Sequence, residues 1–451
     1  MEAKIQALYQ KIQRRDPDQK EFLQAVDEVF STLAPVIEKY PHYLPVLERL
    51  VEPERQIVFR VPWVDRDGNS QVNRGMRVQY NSALGPYKGG CRFHPSVNLS
   101  VIKFLGFEQN FKNALTGLPL GGGKGGSDFD PKGKTETEIM LFCQSFMTEL
   151  QRYLGPNTDV PAGDIGVGAR EIGYMFGQYK RIRNAWEGVL TGKAYDYGGS
   201  LIRPEATGYG AVYFADEMLK EHGISIAGKR CTVSGSGNVA QFCIEKLLDL
   251  GAVPLTCSDS NGSIYEPEGF TREKLAILMK LKNVDRARLS EYPKYSPSAQ
   301  YFEGQRPWHV ACELAFPCAT QNELLGADAE TLIKNGCFLV SEGANMPSNP
   351  EAIEKYMATK GPNGIPFLYG PGKAANAGGV SVSGLEMTQN SIRLRWTREE
   401  VDNKLKEIMA NIFKTCRDVA ADLGAPHNYM LGANCGGFMK IAAAMDKMGI
   451  C

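Results

Sequence analysis

Residues 230–257 read RCTVSGSGNVAQFCIEKLLDLGAVPLTC. Arg230 to Ser234 has the length and composition of a short buried strand. The run Gly235-Ser236-Gly237-Asn238-Val239-Ala240 follows it. Val239, Ala240, Cys243, Ile244, Leu247 and Leu248 then recur at helical spacing, and Gly251-Ala252 turns into a second strand, Val253 to Cys257. A bare G-x-G-x-x-A is weak evidence, and a plain βαβ turn is the alternative. Between a strand and a helix it becomes a dinucleotide-binding fingerprint. Gly235 and Gly237 make the tight turn. They let a pyrophosphate reach the free N–H groups at the helix start, Asn238 and Val239.

Working outward, the second strand runs into Ser258-Asp259-Ser260, with Asp259 twenty-two residues beyond Gly237. An acid there bonds a ribose 2′-hydroxyl and selects NAD by the simple rule. The flanking serines and nearby lysines favour a 2′-phosphate instead, so both cofactors stay open. Ala311–Phe316 and Cys337–Val340 read as further parallel strands. Polar runs follow them, Ala319-Thr320-Gln321-Asn322 and Glu342-Gly343-Ala344-Asn345, where an open α/β sheet binds its ligand. Upstream, Gly192–Pro204 is rich in Gly, Tyr, Ser and Pro and marks a boundary, after which Thr207-Gly208-Tyr209-Gly210 opens a helix to Leu219.

At 451 residues, two domains are expected. Lys+Arg balance Asp+Glu at 51 each, which argues against a nucleic-acid or membrane-surface role. Eleven cysteines with no C-x-x-C indicate neither a disulfide framework nor a zinc knuckle, and fit free thiols in a reducing compartment. Five histidines without metal-ligand spacing leave no metal expected. The N-terminus carries acids and no long apolar run, so no targeting peptide or membrane span is expected.

The first half opens helical from Glu21 to Leu50. Ile57, Phe59 and Val61, then Met76, Val78 and Tyr80, alternate around an Asp67-Gly68 tip, which predicts a hairpin. Lys88 stands beside Gly89 and Gly90, a lysine expected exposed in a glycine loop. A helix from Ile102 to Ala114 carries Gln109 and Lys112. The stretch Leu118–Lys134, LPLGGGKGGSDFDPKGK, sets Lys124 among five glycines. It fails the nucleotide P-loop pattern, because Gly125 follows the lysine and Leu118 holds the first glycine position. Two readings remain: a flexible glycine turn, or a lysine that holds an anion or works as an amine. Thr135-x-x-Glu138 and Thr397-x-x-Glu400 are capping boxes. Asp164 lies between glycines in DVPAGDIGVGAR, as a turn or N-cap aspartate or as a working acid. Gly370–Gly384 reads as another glycine-rich loop.

The segment Leu118–Pro131 resembles the active-site signature of the hexameric glutamate dehydrogenases, of the Glu/Leu/Phe/Val dehydrogenase family. The stretches around Lys88, Gln109–Lys112, Val160–Arg170, Arg203–Gly210 and Asn376–Asn390 resemble that family as well. The resemblance implies a two-domain α/β protein: an α/β substrate-binding and oligomerisation domain with a mixed sheet at 1–200, to which a C-terminal helix at 424–451 returns, and a Rossmann-type domain at 201–423. It implies reversible reductive amination of 2-oxoglutarate with ammonia to L-glutamate, by hydride transfer with NADP, in a cytoplasmic homohexamer. Lys124 would activate water, with Lys88 and Lys112 as neighbouring cations favouring its neutral amine, and Asp164 would handle the amine proton. Lys112 and Gln109 would hold the α-carboxylate with the backbone at Gly163 nearby. Lys88 and Ser383 would grip the side-chain carboxylate. Ser258, Asp259 and Lys282, with Lys132 from the other domain, would meet the 2′-phosphate, and Thr207, Asn238 and Asn345 complete the cofactor contacts. Relatives acting on leucine, valine or phenylalanine carry apolar residues at the positions of Lys88 and Ser383. An NAD-preferring or apolar-amino-acid dehydrogenase of this fold is the nearest alternative. A catalytically silent dinucleotide-binding protein is another, and would be expected to lose Lys124 or Asp164. Two departures stand out: Cys91 where the family usually has an aliphatic residue, and Cys435-Gly436, expected to interrupt the last helix.

Overall fold

Three helices open the chain in the computed structural model, which describes residues 2–450: α1 (Glu2–Arg15), α2 (Lys20–Lys39) and α3 (Leu44–Leu50). The helical stretch expected from Glu21 to Leu50 is broken, because Pro41 cannot continue a helix hydrogen-bond ladder and starts a short 3-10 turn instead. The expected hairpin follows as β1 (Arg55–Val64) and β2 (Ser70–Asn81), turning at Gly68 with φ of 83°. Then come β3 (Tyr87–Phe93), α4 (Leu99–Leu115), β4 (Gly122–Ser127), α5 (Glu136–Leu150), β5 (Asp159–Gly163) and α6 (Ala169–Arg183). The strands form one mixed sheet in the order β1-β2-β4-β3-β5, with β3 parallel to both β4 and β5. One face is covered by α5 and α6 over an aromatic core of Phe93, Phe129, Phe142 and Phe146. On the other lies α4, where Gly106 lets Tyr80 and Lys124 approach.

The glycine-rich stretch around Lys124, expected as a loop, is therefore a buried central strand. Its glycines supply space. A Cβ at Gly122 would sit 1.8 Å from the Asn110 side-chain oxygen, and one at Gly126 would sit 2.3 Å from the Arg92 carbonyl. A Cβ at Gly123 or Gly125 would crowd Arg77, at 3.2 Å and 3.0 Å, and at Gly125 also the Met76 carbonyl at 2.9 Å. Arg77 crosses β4 to bond Asp159 of β5 at 2.9 Å and the Gly89 carbonyl at 3.1 Å, and both ions are fully buried.

The second unit contains α7 (Ala206–Lys220), β6 (Arg230–Val233), α8 (Asn238–Asp249), β7 (Val253–Pro254), β8 (Thr256–Asp259), β9 (Gly262–Tyr265), α9 (Arg272–Met279), β10 (Gln300–Glu303), β11 (Leu314–Phe316), α10 (Gly326–Lys334), β12 (Leu339–Ser341), α11 (Pro350–Ala358), β13 (Leu368–Gly370) and α12 (Gly372–Ala375). Its parallel sheet runs β13-β12-β11-β6-β7, so the strand order reverses between β6 and β11. The strand expected over Val253–Cys257 is split. Pro254 has no N–H to extend the parallel ladder, and Thr256 onward joins a small antiparallel sheet, β8-β9-β10.

The chain closes with α13 (Gly378–Ile392), α14 (Arg398–Asp422) and α15 (Tyr429–Met448). Three corrections fall here. Gly370–Gly384 is mostly helix, and Gly378 is small because a Cβ would meet the Ala206 carbonyl at 2.0 Å. The last helix is uninterrupted: Cys435 lies within it, bonding the Thr32 carbonyl at 3.2 Å, and Gly437 makes room for Phe111. The compact units comprise 1–203, 380–401 and 434–451 on one side and 204–379 and 402–433 on the other. Residues 380–401, expected in the dinucleotide domain, thus belong with the first unit, and the C-terminal return begins at 434.

Candidate active site

In β3 alternate side chains share a face, which sets Lys88, Gly90 and Arg92 in one row. Gly90 is the bare floor of that row. A Cβ there would come within 2.9 Å of the Asp164 Cβ, so Asp164, directly after β5, sits over it. The Arg92 Nε–H donates to Asp164 Oδ2 at 2.7 Å. Lys124, reaching over from β4, stands 3.6 Å from Asp164 Oδ1, and both side chains are nearly buried. Burial pushes the Asp164 carboxyl up, but the Lys124 and Arg92 charges and the Arg92 bond outweigh it, holding the group below the usual carboxylate value. The charge beside Lys124 is thus a carboxylate, where the resemblance implied the cations Lys88 and Lys112.

Lys88, expected exposed in a glycine loop, is instead buried within β3, and burial holds its ammonium well below the ordinary lysine range. Arg203 and Arg77 add repulsion, partly offset by Glu386 and Asp159. Arg203 donates through Nε to Ser383 Oγ at 3.1 Å. Glu386, one turn along α13 from Ser383, forms a buried ion pair with Lys193 at 2.9 Å and accepts from Gly192 N–H. α13 is therefore tied to the loop before residue 200. On α4, Gln109 and Lys112 are half-buried three residues apart, which puts them on neighbouring positions of one face. Gln109 donates to Asn113, and Asn113 in turn donates to the Lys88 carbonyl at 3.0 Å, linking α4 to β3. Gly163 ends β5 opposite Cys91.

In the second unit Gly235 takes a left-handed φ of 86° and lies where a Cβ would press on the Cys318 carbonyl at 2.9 Å. Gly237 caps α8 with no side-chain bond to its N–H groups and no atom within 4 Å of a would-be Cβ. The start of α8, at Asn238 and Val239, thus presents free donors beside open space at the strand-order reversal, which fits a dinucleotide pyrophosphate. Ser258 Oγ accepts the Gly235 N–H at 2.8 Å and shapes the loop. Asp259 accepts the N–H groups of Asn261 and Leu289 at 2.9 and 3.0 Å and faces Lys282 at 3.6 Å. Exposed Arg288 bonds Ser260 Oγ at 2.8 Å. Asn345 Oδ1 accepts from Asn376 at 2.8 Å, and Thr207 is half-buried in the first turn of α7. Lys132 is exposed on the loop after β4, in the first unit.

Two family models match the chain: Glutamate/Leucine/Phenylalanine/Valine dehydrogenase over residues 198–449, and the Glu/Leu/Phe/Val dehydrogenase dimerisation domain over residues 53–181. The chain belongs to the Glu/Leu/Phe/Val dehydrogenase family. An NADP-specific glutamate dehydrogenase of Giardia intestinalis is 61% identical over 99% of this chain and 98% of that protein. One from Escherichia coli K12 is 56% identical over 99% and 98% respectively. The crystal structure of Plasmodium falciparum glutamate dehydrogenase, 56% identical, superposes with a TM-score of 0.97 over 100% of this chain and 95% of that one. A hetero-hexameric glutamate dehydrogenase from Thermus thermophilus, in a Leu-bound form, is 25% identical with a TM-score of 0.79, covering 93% of this chain and 98% of that one.

Within this family member, the first unit brings Lys88, Lys124, Asp164 and Gly163 together along β3, β4 and β5, and holds Ser383 against Arg203. Four polar residues escaped the sequence reading. Arg92 had a legible signal, since period two from Lys88 puts it on the same strand face. Arg203 and Arg288 had none, being placed by bonds to residues 180 and 28 positions away. Thr191, whose N–H bonds the Pro161 carbonyl of β5, carries a buried hydroxyl with no partner among the described residues.

Proposed function

We propose that this chain is an NADP-dependent glutamate dehydrogenase, interconverting L-glutamate with 2-oxoglutarate and ammonia. The observation that carries the reading is the buried Lys88 ammonium on β3 beside the Lys124–Asp164 pair, with the Ser383 hydroxyl of α13 held by Arg203. The names of relatives 56–61% identical over nearly the whole chain support it. Buried Lys88 regains a full charge when it meets a carboxylate, and Ser383 adds a donor. Lys112 and Gln109, on α4, are assigned to the α-carboxylate. Asp164 takes the proton of the α-amine and returns it in the reverse direction. Lys124 orients and deprotonates the water that attacks the imine carbon, its proton exchange assisted by the carboxylate at 3.6 Å. NADP, when bound, supplies the acceptor of the α-hydride. On the cofactor side, the Asp259 carboxylate is engaged with its own loop, which supports a 2′-phosphate met by Ser260, Lys282 and Arg288 over a ribose hydroxyl met by an acid.

The same reading takes the protein as a cytoplasmic homohexamer, supported by its family membership and by the ten described cysteines, all buried and none in a disulfide. No helix of the described residues is long and apolar enough to cross a membrane.

The test is ammonia-dependent oxidation of NADPH against NADH, with 2-oxoglutarate and then 2-oxoisocaproate. Activity with NADPH and 2-oxoglutarate is expected, with turnover lowered by orders of magnitude in Lys124→Ala while NADPH still binds. Activity with neither keto acid would remove the dehydrogenase reading, and preference for 2-oxoisocaproate would replace it.

A further inference from the structure

The two oxygens of Asp164 face cations from two different strands of the first unit's sheet. Arg92 of β3 holds Oδ2 in a charge-assisted bond of 2.7 Å, while Oδ1 faces Lys124 of β4 across 3.6 Å, too long for a direct hydrogen bond. The two oxygens are therefore not equivalent. One is committed to the protein and the other is available. Arg92 can make this bond because Gly90 leaves the strand face bare and because the peptide after Asp164 is fixed: the Asp164 carbonyl accepts the Val167 N–H at 2.9 Å, and the Ile165 carbonyl accepts the Phe93 N–H at 2.9 Å. The backbone on both sides of the pair is thus locked, and the side-chain bond is what remains to choose the carboxylate rotamer.

We propose that Arg92 is a positioning residue: its bond to Oδ2 fixes the Asp164 carboxylate so that Oδ1 alone, on the Lys124 side, exchanges the proton of the substrate amine. The inference rests on the glutamate dehydrogenase reading and adds to it a residue and an atom. In the oxidative direction the step breaks an N–H bond of the α-ammonium group and forms an O–H bond at Oδ1. No electrons change hands in that step. A carboxylate free to rotate would present either oxygen, and would reach the reactive geometry in only a fraction of complexes.

The ionisable groups facing Asp164 are Arg92 and the buried Cys91 thiol on β3, and Lys124 on β4. Arg92 and Lys124 together oppose the burial that favours the protonated acid. With Arg92 neutralised, one of the two cations holding the carboxylate ionised is gone and burial remains. Asp164 then keeps its proton to a higher pH, and the base needed for glutamate oxidation is lost sooner on acidification.

Arg92→Gln and Arg92→Lys test this, each also made in an Asp164→Asn background, with thermal midpoints measured to identify any unfolded variant. For Arg92→Gln the expected result is a kcat loss of about ten- to a hundredfold with KM for 2-oxoglutarate changed less than about twofold. The acid limb of kcat/KM for glutamate oxidation moves to higher pH. Arg92→Lys, which keeps a charge, restores part of both effects. In the Asp164→Asn background the Arg92 substitutions cost little further turnover, because there is no carboxylate left to position. A raised KM at unchanged kcat would make Arg92 a substrate ligand and overturn the proposal. So would an unmoved pH profile, or a kcat loss that persists undiminished in the Asp164→Asn background. An unmutated enzyme inactive with 2-oxoglutarate would instead remove the functional reading, and this proposal with it.

Discussion

Residue types set the chemistry before any fold is considered. A buried lysine is a poor cation on its own, since burial disfavours the charged form. At Lys88 the Arg203 and Arg77 guanidiniums deepen the effect. On the proposed reading, such a site gains most by receiving the distal carboxylate of the substrate. Lys88→Leu with Ser383→Val removes both the ammonium and the hydroxyl. That change is expected to raise KM for 2-oxoglutarate by at least about tenfold, the order lost with one charged contact, and to improve use of 2-oxoisocaproate relative to it. Unchanged efficiency with 2-oxoglutarate in the double variant would refute the specificity assignment. The pH sign follows from the same lysine. Its charge is lost at lower pH than for an exposed lysine, so KM for 2-oxoglutarate should rise toward alkaline pH, and that rise should be absent in the double variant.

At the scale of elements, the glycines of β4 are the clearest lesson. A glycine-rich stretch reads as a loop because glycine tolerates every backbone conformation and has low strand propensity. Here the backbone is ordinary strand, and what glycine supplies is room for Arg77, Asn110 and the neighbouring β3. Gly126→Ala would force a Cβ to within 2.3 Å of the Arg92 carbonyl, a backbone atom that cannot rotate away. The expected cost is about 1–3 kcal/mol or more, read as a lower denaturation midpoint, together with lost activity because Arg92 is the residue displaced. A midpoint unchanged from the unmutated protein would show that β3 and β4 are looser than the structure describes. Gly378 teaches the same rule in a helix. The capping boxes at Thr135 and Thr397 needed no tertiary information, and both form as written, Glu138 and Glu400 each accepting the N–H of the capping threonine.

For the whole molecule, the two units carry different chemistry, and one buried group in the second unit links stability to pH. Glu342, at the carboxyl end of β12, is pushed up to about 7 by burial, against the opposing bonds from the Ser348 and Gly372 N–H groups and nearby hydroxyls. An acid whose folded value lies above its unfolded one stabilises the fold below the unfolded value, and that contribution is lost as pH rises through about 7. The thermal midpoint should therefore fall between pH 4.5 and about 7 more steeply in the unmutated protein than in Glu342→Gln, whose amide carries no charge, and level off above that range. Parallel curves for the two proteins would locate the pH sensitivity elsewhere.

The sequence by itself determined the dinucleotide fingerprint, the hairpin, the caps and the residues that carry the family resemblance, because each depends on neighbours within a turn or a strand. It left Arg92 unread, since the period-two signal becomes visible only once Tyr87–Phe93 is known to be a strand and not a glycine loop. The tertiary structure decided what depends on distant partners. It made a strand of the glycine run, because Arg77 must cross it to reach Asp159. It took 380–401 into the first unit, where Ser383 meets Arg203 and Glu386 meets Lys193. It engaged Asp259 with its own loop. And it set the Asp164 carboxylate directly beside Lys124, where the resemblance implied Lys88 and Lys112 as its neighbouring charges. Charge and packing between residues far apart in sequence are fixed only when the chain has closed on itself.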